Sequence, residues 1–458
     1  SLLPACGIYN QVLREEKSLM TILREIAAVA DISSESRERL EEALGRSRRR
    51  ESVQELLEGS DQLSRLSNEN PKVRKLLNVA GALRGRVHQF NHNTSRLVVL
   101  PGGLEDKIGC ITDPEGSVFC MADAKTIEQI GGWVILIQTS HFLTALDGSA
   151  RVIRTEEARD GDSGMRFEEA FERLDDHDTY EMISGGATTG VYLLESRGIR
   201  DLLEKVKPGS FQELVNVISL YRPAPLEGRL WQRYIENADK KGKVFLPNHS
   251  IAPALENTRG LLLYRQQIRE ILAEVAGIGG EEAASIENAI SKKGAGELLK
   301  ARLSFIRGAM EREVNEEDAQ KIFDFLLHNT GFTYDKAFSC AQAYISYRTA
   351  YMKAHHHDEY FTALLNCTSD IRDRQKSYLD YLRSVNREVF PPDINSSWTT
   401  YTLEAGGIRS PLNEARTLDD EELSAIIRER ERGGSYRSLK DLMERLSSDL
   451  AMSSVYSV

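Results

Sequence analysis

The sequence predicts an α+β fold in which helices dominate. Apolar residues recur at helical spacing over residues 15–60 and again over about residues 165–385. Between these stretches, residues 97–100 and 133–137 form two short, uninterrupted apolar runs that are typical of buried strands. Short buried strands amid long helical stretches indicate a small sheet layer packed against helices.

The length and composition limit the class of protein. At 458 residues the chain is too long for one ordinary core, so we expect roughly two to four domains. The five cysteines are scattered without CxxC spacing, which argues against a zinc ribbon or a disulfide framework and fits a cytoplasmic protein. Because no apolar run reaches the length of a membrane span, we expect no membrane partner.

Charge is unevenly distributed along the chain. The formal net charge of −11 argues against a general polyanion binder. Residues 190–310, however, carry 18 Lys and Arg against 14 Asp and Glu. A mildly basic stretch within an acidic chain is the distribution expected where a protein contacts a nucleic-acid backbone.

Five segments carry a resemblance to a known family. They are TTGVYLLES at 188–196, the stretch 200–228 with VKPGSF and YRPAPLEG, GLLLYRQQ at 260–267, GFTYDKAFSCAQAYISYRTAYMKAH at 331–355, and FPPDINSS at 390–397. In sequence and in order they resemble the fingers region of the bacterial DNA polymerase III alpha subunits, the C-family replicative polymerases. Weaker similarity covers about residues 20–180, where the family has part of its palm.

The resemblance implies an arrangement of four regions. They are a helical palm-associated segment at 1–80, a partial palm at 81–180, a large helical fingers domain at 181–388 and a small helix-hairpin-helix-like module at 389–458. Pro391 and Pro392 mark the last of these boundaries.

The catalytic carboxylates of the family are not found in this sequence. The resemblance implies two divalent metal ions, Mg²⁺ in the family, held by three Asp residues. We expect the paired Asp motif to precede residue 1, and the third Asp position falls at Leu136. Leucine cannot ligate a metal, and no carboxylate occurs between Glu128 and Asp147. We therefore expect no catalytic residue, metal or cofactor, and a buried, structural strand around position 136.

Two phosphate-binding features of the family are also altered. Glu287 and Asn288 stand where the fingers normally present adjacent arginines to the incoming triphosphate, and a carboxylate facing a triphosphate is repulsive. In the C-terminal module, Thr417, Leu418 and Asp419 replace a Gly-x-Gly hairpin whose amides contact a DNA phosphate. In the later fingers segment, Phe338 replaces a family His.

Several cations remain where the resemblance places the polymerase cleft. They are Lys205, Lys207, Arg222, Lys292, Lys293 and Lys336. They are either phosphate contacts that give weak, sequence-independent and salt-dependent DNA binding, or ordinary solvated side chains.

Other potential metal ligands are interpreted as structural. Residues 355–358 are expected to form a helix end, and His88 and His92 to lie at the start of a strand region without a third ligand. Asp160 and Asp162 have the spacing of a paired motif but are expected to lie in a loop.

Together these observations favour a non-catalytic protein related to the polymerase III alpha subunit. Its partners are expected to be DNA, bound weakly and without sequence specificity, or a replication or repair protein. Two alternatives stay open. The chain is one portion of an active polymerase whose Asp pair lies on a missing or separate segment, or it is a decayed fragment without independent function.

Overall fold

A computed structural model gives the three-dimensional structure of the chain. It describes residues 6–16, 22–23, 25–26, 39–40, 53–83, 87–101, 108–112, 114–159, 165–238, 244–292, 295–369, 371–415 and 418–446. The chain divides into two compact units, Ser1–Thr139 and Ser140–Val458. The predicted α+β class, with helices dominating, is confirmed.

The first unit combines a sheet with short helices. Its strands are β1 (Cys6–Glu16), β2 (Val87–Pro101), β3 (Cys110–Thr112), β4 (Val118–Cys120) and β5 (Trp133–Leu136), and its helices are α1 (Val53–Gly59), α2 (Asp61–Glu69), α3 (Pro71–Leu83) and α4 (Ala124–Gln129). The strand order is β3-β4-β1-β2-β5, so β5 lies at an edge. Strands β1 and β5 both pair antiparallel with β2.

The helical interpretation of residues 15–60 is wrong at its start. Glu15 and Glu16 are the last residues of β1, where they pair with Gln89 and Val87 of β2. Backbone pairing along the whole of β1 overrides the helical pattern that begins further on. Residues 22–23, 25–26 and 39–40 are helical, as expected, and α1 to α3 bury an apolar face together with Leu23 and Leu40.

The two apolar strands differ in burial. Val98, Val99 and Leu100 of β2 are buried, as predicted. Residues 133–136 do form a strand, but the prediction that it is buried is wrong, since Trp133 is 57% exposed and Leu136 is 50% exposed. The cause is the position of β5, which has a neighbouring strand on one side alone among the described residues.

The second unit is mainly helical. Its helices are α5 (His141–Arg159), α6 (Met165–Glu172), α7 (His177–Ser184), α8 (Arg197–Val206), α9 (Phe211–Leu220), α10 (Pro223–Glu227), α11 (Leu230–Ala238), α12 (Ala252–Leu255), α13 (Arg265–Ala276), α14 (Gly280–Lys292), α15 (Ala295–Glu311), α16 (Glu316–Asn329), α17 (Lys336–His355), α18 (His357–Asn366), α19 (Arg372–Ser384), α20 (Asp420–Gly433) and α21 (Leu439–Arg445). A small sheet, in the order β6-β8-β7, is formed by β6 (Glu388–Phe390), β7 (Thr402–Glu404) and β8 (Gly407–Arg409).

Helix α17 lies at the centre of this unit. It buries Ala343, Tyr347, Ala350 and Met352 in the largest apolar core, together with side chains of α5 to α9, α11 and α18. A second core joins α12 to α16, and a third joins α20 to α21. Burial of one side of α17 fixes which of its residues remain at the surface.

A buried hydrogen-bond network holds the helices near the start of α17. The Asn216 amide donates to Tyr234, and Tyr264 donates to Asn216. Burial raises the pKa of Tyr234 and of Tyr264, so both hydroxyls stay protonated. Such a network fixes the packing of α9, α11 and α13, because each buried polar group finds its partner in one arrangement.

Among the described residues, no helix has both the length and the apolar character needed to cross a membrane.

Candidate nucleic-acid interface

The start of α17 is joined to the start of α13 by hydrogen bonds. Tyr334 and Arg265 link the two segments through their backbone, since Tyr334 N–H donates to the Leu263 carbonyl and Arg265 N–H donates to the Tyr334 carbonyl. The Gln266 side chain accepts from the backbone N–H of Lys336, the first residue of α17. The position of the first turn of α17 is therefore determined by the segment at the start of α13.

Two of the cations predicted as phosphate contacts lie together at this point. The Arg222 guanidinium lies 4.7 Å from the ring centre of Tyr334 and 5.3 Å from that of Phe338. The Lys336 ammonium lies 5.7 Å from the ring centre of Tyr264. Neither cation forms an ion pair with a carboxylate of the described residues, and the half-buried Arg222 guanidinium donates to the Gln342 side chain.

Helix α17 carries aromatic and basic side chains on the side that faces away from the core. We call this surface the α17 face, and it consists of Ala337, Phe338, Ala341, Tyr344 and Arg348. Phe338 is 51% exposed and Tyr344 is 39% exposed. The Arg348 guanidinium packs 4.5 Å from the ring centre of Tyr344 and 4.1 Å from that of Phe171, and it too has no ion-pair partner in the described part of the chain. Neither Tyr344 nor Arg348 was predicted as a site residue.

The remaining predicted cations lie elsewhere. Lys205 is in the last turn of α8, where its ammonium lies 5.0 Å from the Trp231 ring centre. Lys207 caps the same helix in a left-handed conformation, with φ 50°. Both are exposed. The side chain of Lys292 and the whole of Lys293 lie outside the described residues.

The carboxylate at the first arginine position is turned inward. Glu287 is buried, and its Oε2 lies 2.5 Å from Nε of Arg269 on α13. Its neighbour Asn288 is exposed. The expectation of a carboxylate facing a triphosphate therefore differs from the structure, in which Arg269 neutralises that carboxylate within the helical packing.

The start of α20 satisfies its own amide groups. The Asp419 side chain accepts from Glu422 N–H, and the Glu422 side chain accepts from Asp419 N–H, which makes a capping box. Asp420 and Glu421 add negative charge in the same turn. Because carboxylates occupy the helix N-terminus, a phosphate is disfavoured there by competition and by repulsion.

A buried lysine on α17 was not anticipated from the sequence. The Lys353 ammonium donates to the carbonyl oxygens of Ala187, at 2.7 Å, and Thr189, at 2.8 Å. Burial, together with the nearby Arg200 guanidinium, lowers the pKa of Lys353 to about 7. Lys353 thus connects residues 187–189 to α17. A single Lys within a mixed helix gives no sequence signal of this role.

The potential metal ligands named from the sequence do not converge on one site within the described residues, whereas the exposed side chains of His177, Asp178 and Glu181 place one potential ligand atom each within 4.8 Å of one another. His355 ends α17 with its Nε2 2.8 Å from Asp176, whereas His357 begins α18 beside Asp358. This arrangement confirms the interpretation of residues 355–358 as a helix end. His88 and His92 lie in β2, with side chains outside the described set, and residues 160–164 are not described.

Two family models match the second unit. One, described as the bacterial DNA polymerase III alpha subunit finger domain, matches residues 143–313, and one described as a helix-hairpin-helix motif matches residues 386–456. The second unit therefore contains a polymerase-type fingers domain followed by a helix-hairpin-helix module.

Relatives extend the likeness over most of the chain. The DNA polymerase III alpha subunit of Thermus aquaticus is 30% identical over 397 residues, 86% of this chain and 32% of the relative. The corresponding figures are 30%, 83% and 32% for Aquifex aeolicus, and 27%, 85% and 34% for Escherichia coli K12. The chain is related to the bacterial DNA polymerase III alpha subunit, as the five sequence segments predicted. It spans about a third of the length of these curated relatives.

Proposed function

We propose that this chain is a non-catalytic relative of the polymerase III alpha subunit that binds nucleic acid through the α17 face and the cations beside it. The observation that carries the proposal is the pairing of retained cations with exposed aromatic rings. Arg222 and Lys336 lie at the start of α17 without carboxylate partners among the described residues, and the half-exposed ring of Phe338 lies beside Arg222.

The absence of catalysis is supported at the third Asp position. Leu136 stands there on the exposed edge strand β5, and residues 129–146 contain no carboxylate. Without a carboxylate, the strand offers no ligand for the divalent metal ions that nucleotidyl transfer requires. The proposal therefore includes no metal and no cofactor.

The charge distribution supports binding to a phosphate backbone rather than to specific bases. The cations on and beside the α17 face are few, and Asp419 and its neighbours make the start of α20 acidic. We expect an affinity in the range of non-specific complexes, roughly 10⁻⁴ to 10⁻⁶ M at physiological salt, that falls steeply as salt increases.

Primer extension tests the catalytic half of the proposal. The purified chain is incubated with a primed template, nucleotides and Mg²⁺ or Mn²⁺, and we expect no extension. Metal-dependent incorporation that persists after removal of contaminating polymerases would contradict the proposal and favour the alternative of an active polymerase portion.

Fluorescence anisotropy with a labelled primed template, measured across a salt series, tests the binding half. Arg222→Glu/Lys336→Glu should weaken binding at least tenfold and reduce the salt slope by roughly two, because each cation that neutralises a phosphate contributes about one to that slope. The matched control is Lys205→Glu/Lys207→Glu, which reverses the same number of charges on α8. Equal affinity of the parent and the first variant, or a larger effect of the control, would place the binding surface away from the α17 face.

A further inference from the structure

We infer that the α17 face is a stacking platform for the unpaired bases of single-stranded nucleic acid. This inference rests on the proposed function and names the substrate class of the same surface. Its basis is the exposure of two aromatic rings, Phe338 and Tyr344, each of which is in contact with an arginine.

Exposure of these rings distinguishes them from the other aromatic side chains of α17. Tyr347 and Tyr351 are buried against the core, whereas Phe338 and Tyr344 leave about half and two-fifths of their surface accessible. An exposed aromatic ring offers a π-face on which any base can stack, and such stacking contributes about 1–3 kcal/mol per base in single-strand binders.

The two rings lie at opposite edges of the α17 face. Phe338 and Tyr344 are six residues apart, which places them about 9 Å apart along the helix and about 120° apart around its axis. Arg348 lies about one turn beyond Tyr344. A strand that contacts both rings therefore crosses the helix obliquely.

A guanidinium lies beside each exposed ring, where it can contact the phosphate backbone of a strand whose bases stack on the rings. Arg222 contacts Phe338, and Arg348 contacts Tyr344, so each ring has a guanidinium next to it. Neither guanidinium is neutralised by a carboxylate within the described residues. Asp335 caps α17 and accepts from the backbone N–H of Phe338 and from the Gln266 side chain, so one negative charge remains at this end of the helix and opposes phosphate binding there.

A single strand fits this surface better than a duplex does. In a duplex the base faces are stacked on one another, so exposed protein rings have no base face to contact. The Phe338 ring has no hydrogen-bonding group with which to read a base edge, so the contact that it can offer a nucleotide is through its face.

The test separates stacking from phosphate binding in the full chain. Anisotropy is measured with a labelled single-stranded DNA of mixed sequence, with the matching duplex, and with an abasic oligonucleotide of the same length that keeps the phosphates but lacks bases. We expect the parent to bind the single strand tightest. Phe338→Ala/Tyr344→Ala should weaken single-strand binding at least tenfold, leave the salt slope unchanged and have no effect on the abasic strand.

Two further variants complete the design. Phe338→Trp/Tyr344→Trp keeps aromatic surface and should retain single-strand affinity, whereas Arg222→Glu/Lys336→Glu should weaken binding of all the oligonucleotides and lower the salt slope. Thermal unfolding of each variant checks that these surface changes leave the fold intact.

The outcomes are distinguishable. If the Phe338→Ala/Tyr344→Ala variant binds the single strand like the parent, or if the duplex binds tightest, the stacking inference is wrong while the proposed nucleic-acid binding stands. If the parent binds none of the oligonucleotides at low salt, the proposed function fails together with the inference.

Discussion

Strand β5 of the first unit exposes apolar side chains, whereas helices α14 and α17 of the second unit bury ionisable ones. Strand β5 leaves Trp133 and Leu136 exposed, whereas the two helices bury Glu287 and Lys353. Among the described residues β5 pairs with β2 alone, and each buried ionisable side chain has a partner: Arg269 for Glu287, and two carbonyl groups for Lys353. Burial therefore follows from the partners that the fold provides, and these partners are distant in sequence.

The largest expected effect comes from restoring a family arginine at the buried position. Glu287→Arg would place a guanidinium against Arg269 in a buried site, so we expect a loss of about 2–3 kcal/mol in the free energy of unfolding, reduced by the partial exposure of Arg269. Asn288→Arg is the matched control at an exposed position and should change stability by less than about 0.5 kcal/mol. Urea unfolding of the full chain measures both effects. Equal unfolding midpoints for the parent and the Glu287→Arg variant would show that the side chain at position 287 is not buried.

A smaller effect is expected from the titration of Lys353. Its pKa is lowered to about 7 in the folded protein, against a usual value of 10.5, so above pH 7 the unfolded state binds more protons than the folded state. Stability should therefore rise with pH from about 7, by at most about 1.4 kcal/mol per pH unit. Near pH 9 the thiols of Cys120 and Cys340 oppose this rise. Burial raises the pKa of both in the folded protein, so these thiols ionise first in the unfolded state, which lowers the stability of the fold.

Comparison with Lys353→Met tests this assignment. Unfolding is followed between about pH 7 and pH 8.5, below the range in which thiol ionisation dominates. The variant should lack the rise in stability that the parent shows. A parent whose stability is flat or falls across this window would contradict a lowered pKa at position 353.

The smallest effect is expected at the exposed strand. Leu136→Asp should change the free energy of unfolding by less than about 1 kcal/mol, because position 136 is half exposed and lies directly across from Arg96 of β2. Val98→Asp is the control, since Val98 is fully buried and the substitution should cost several kcal/mol. Strong destabilisation by Leu136→Asp would show that another part of the protein covers β5. Neither variant should extend a primer.

The fold class and the related family could be predicted from the sequence because they depend on local patterns. Helical periodicity over residues 165–385 and five segments in order need no knowledge of tertiary contacts. Burial of residues 133–137 could not be obtained in this way, since an apolar run does not say whether one or two strands will flank it. The inward turn of Glu287 was hidden for a similar reason, because Arg269 lies on another helix.

The cap of α20 is a feature that the sequence alone could have revealed. Asp419 and Glu422 have the spacing of a capping box ahead of an apolar helical stretch, which is a local signature. By contrast, the α17 face needed the structure, because contacts of Arg222 and Arg348 with aromatic rings join residues far apart along the chain.

The exposed edge of the first sheet has a consequence for how this protein behaves at high concentration. The outer backbone N–H and C=O groups of an edge strand can pair with a strand of another molecule, and apolar side chains on the same strand favour such contacts. Natural edges are commonly guarded by Lys, Pro or a bulge, yet residues 129–146 contain no Lys, Arg, Asp, Glu or Pro. We therefore expect edge-to-edge self-association to begin at Trp133–Leu136, and a single lysine placed there to keep the molecules apart.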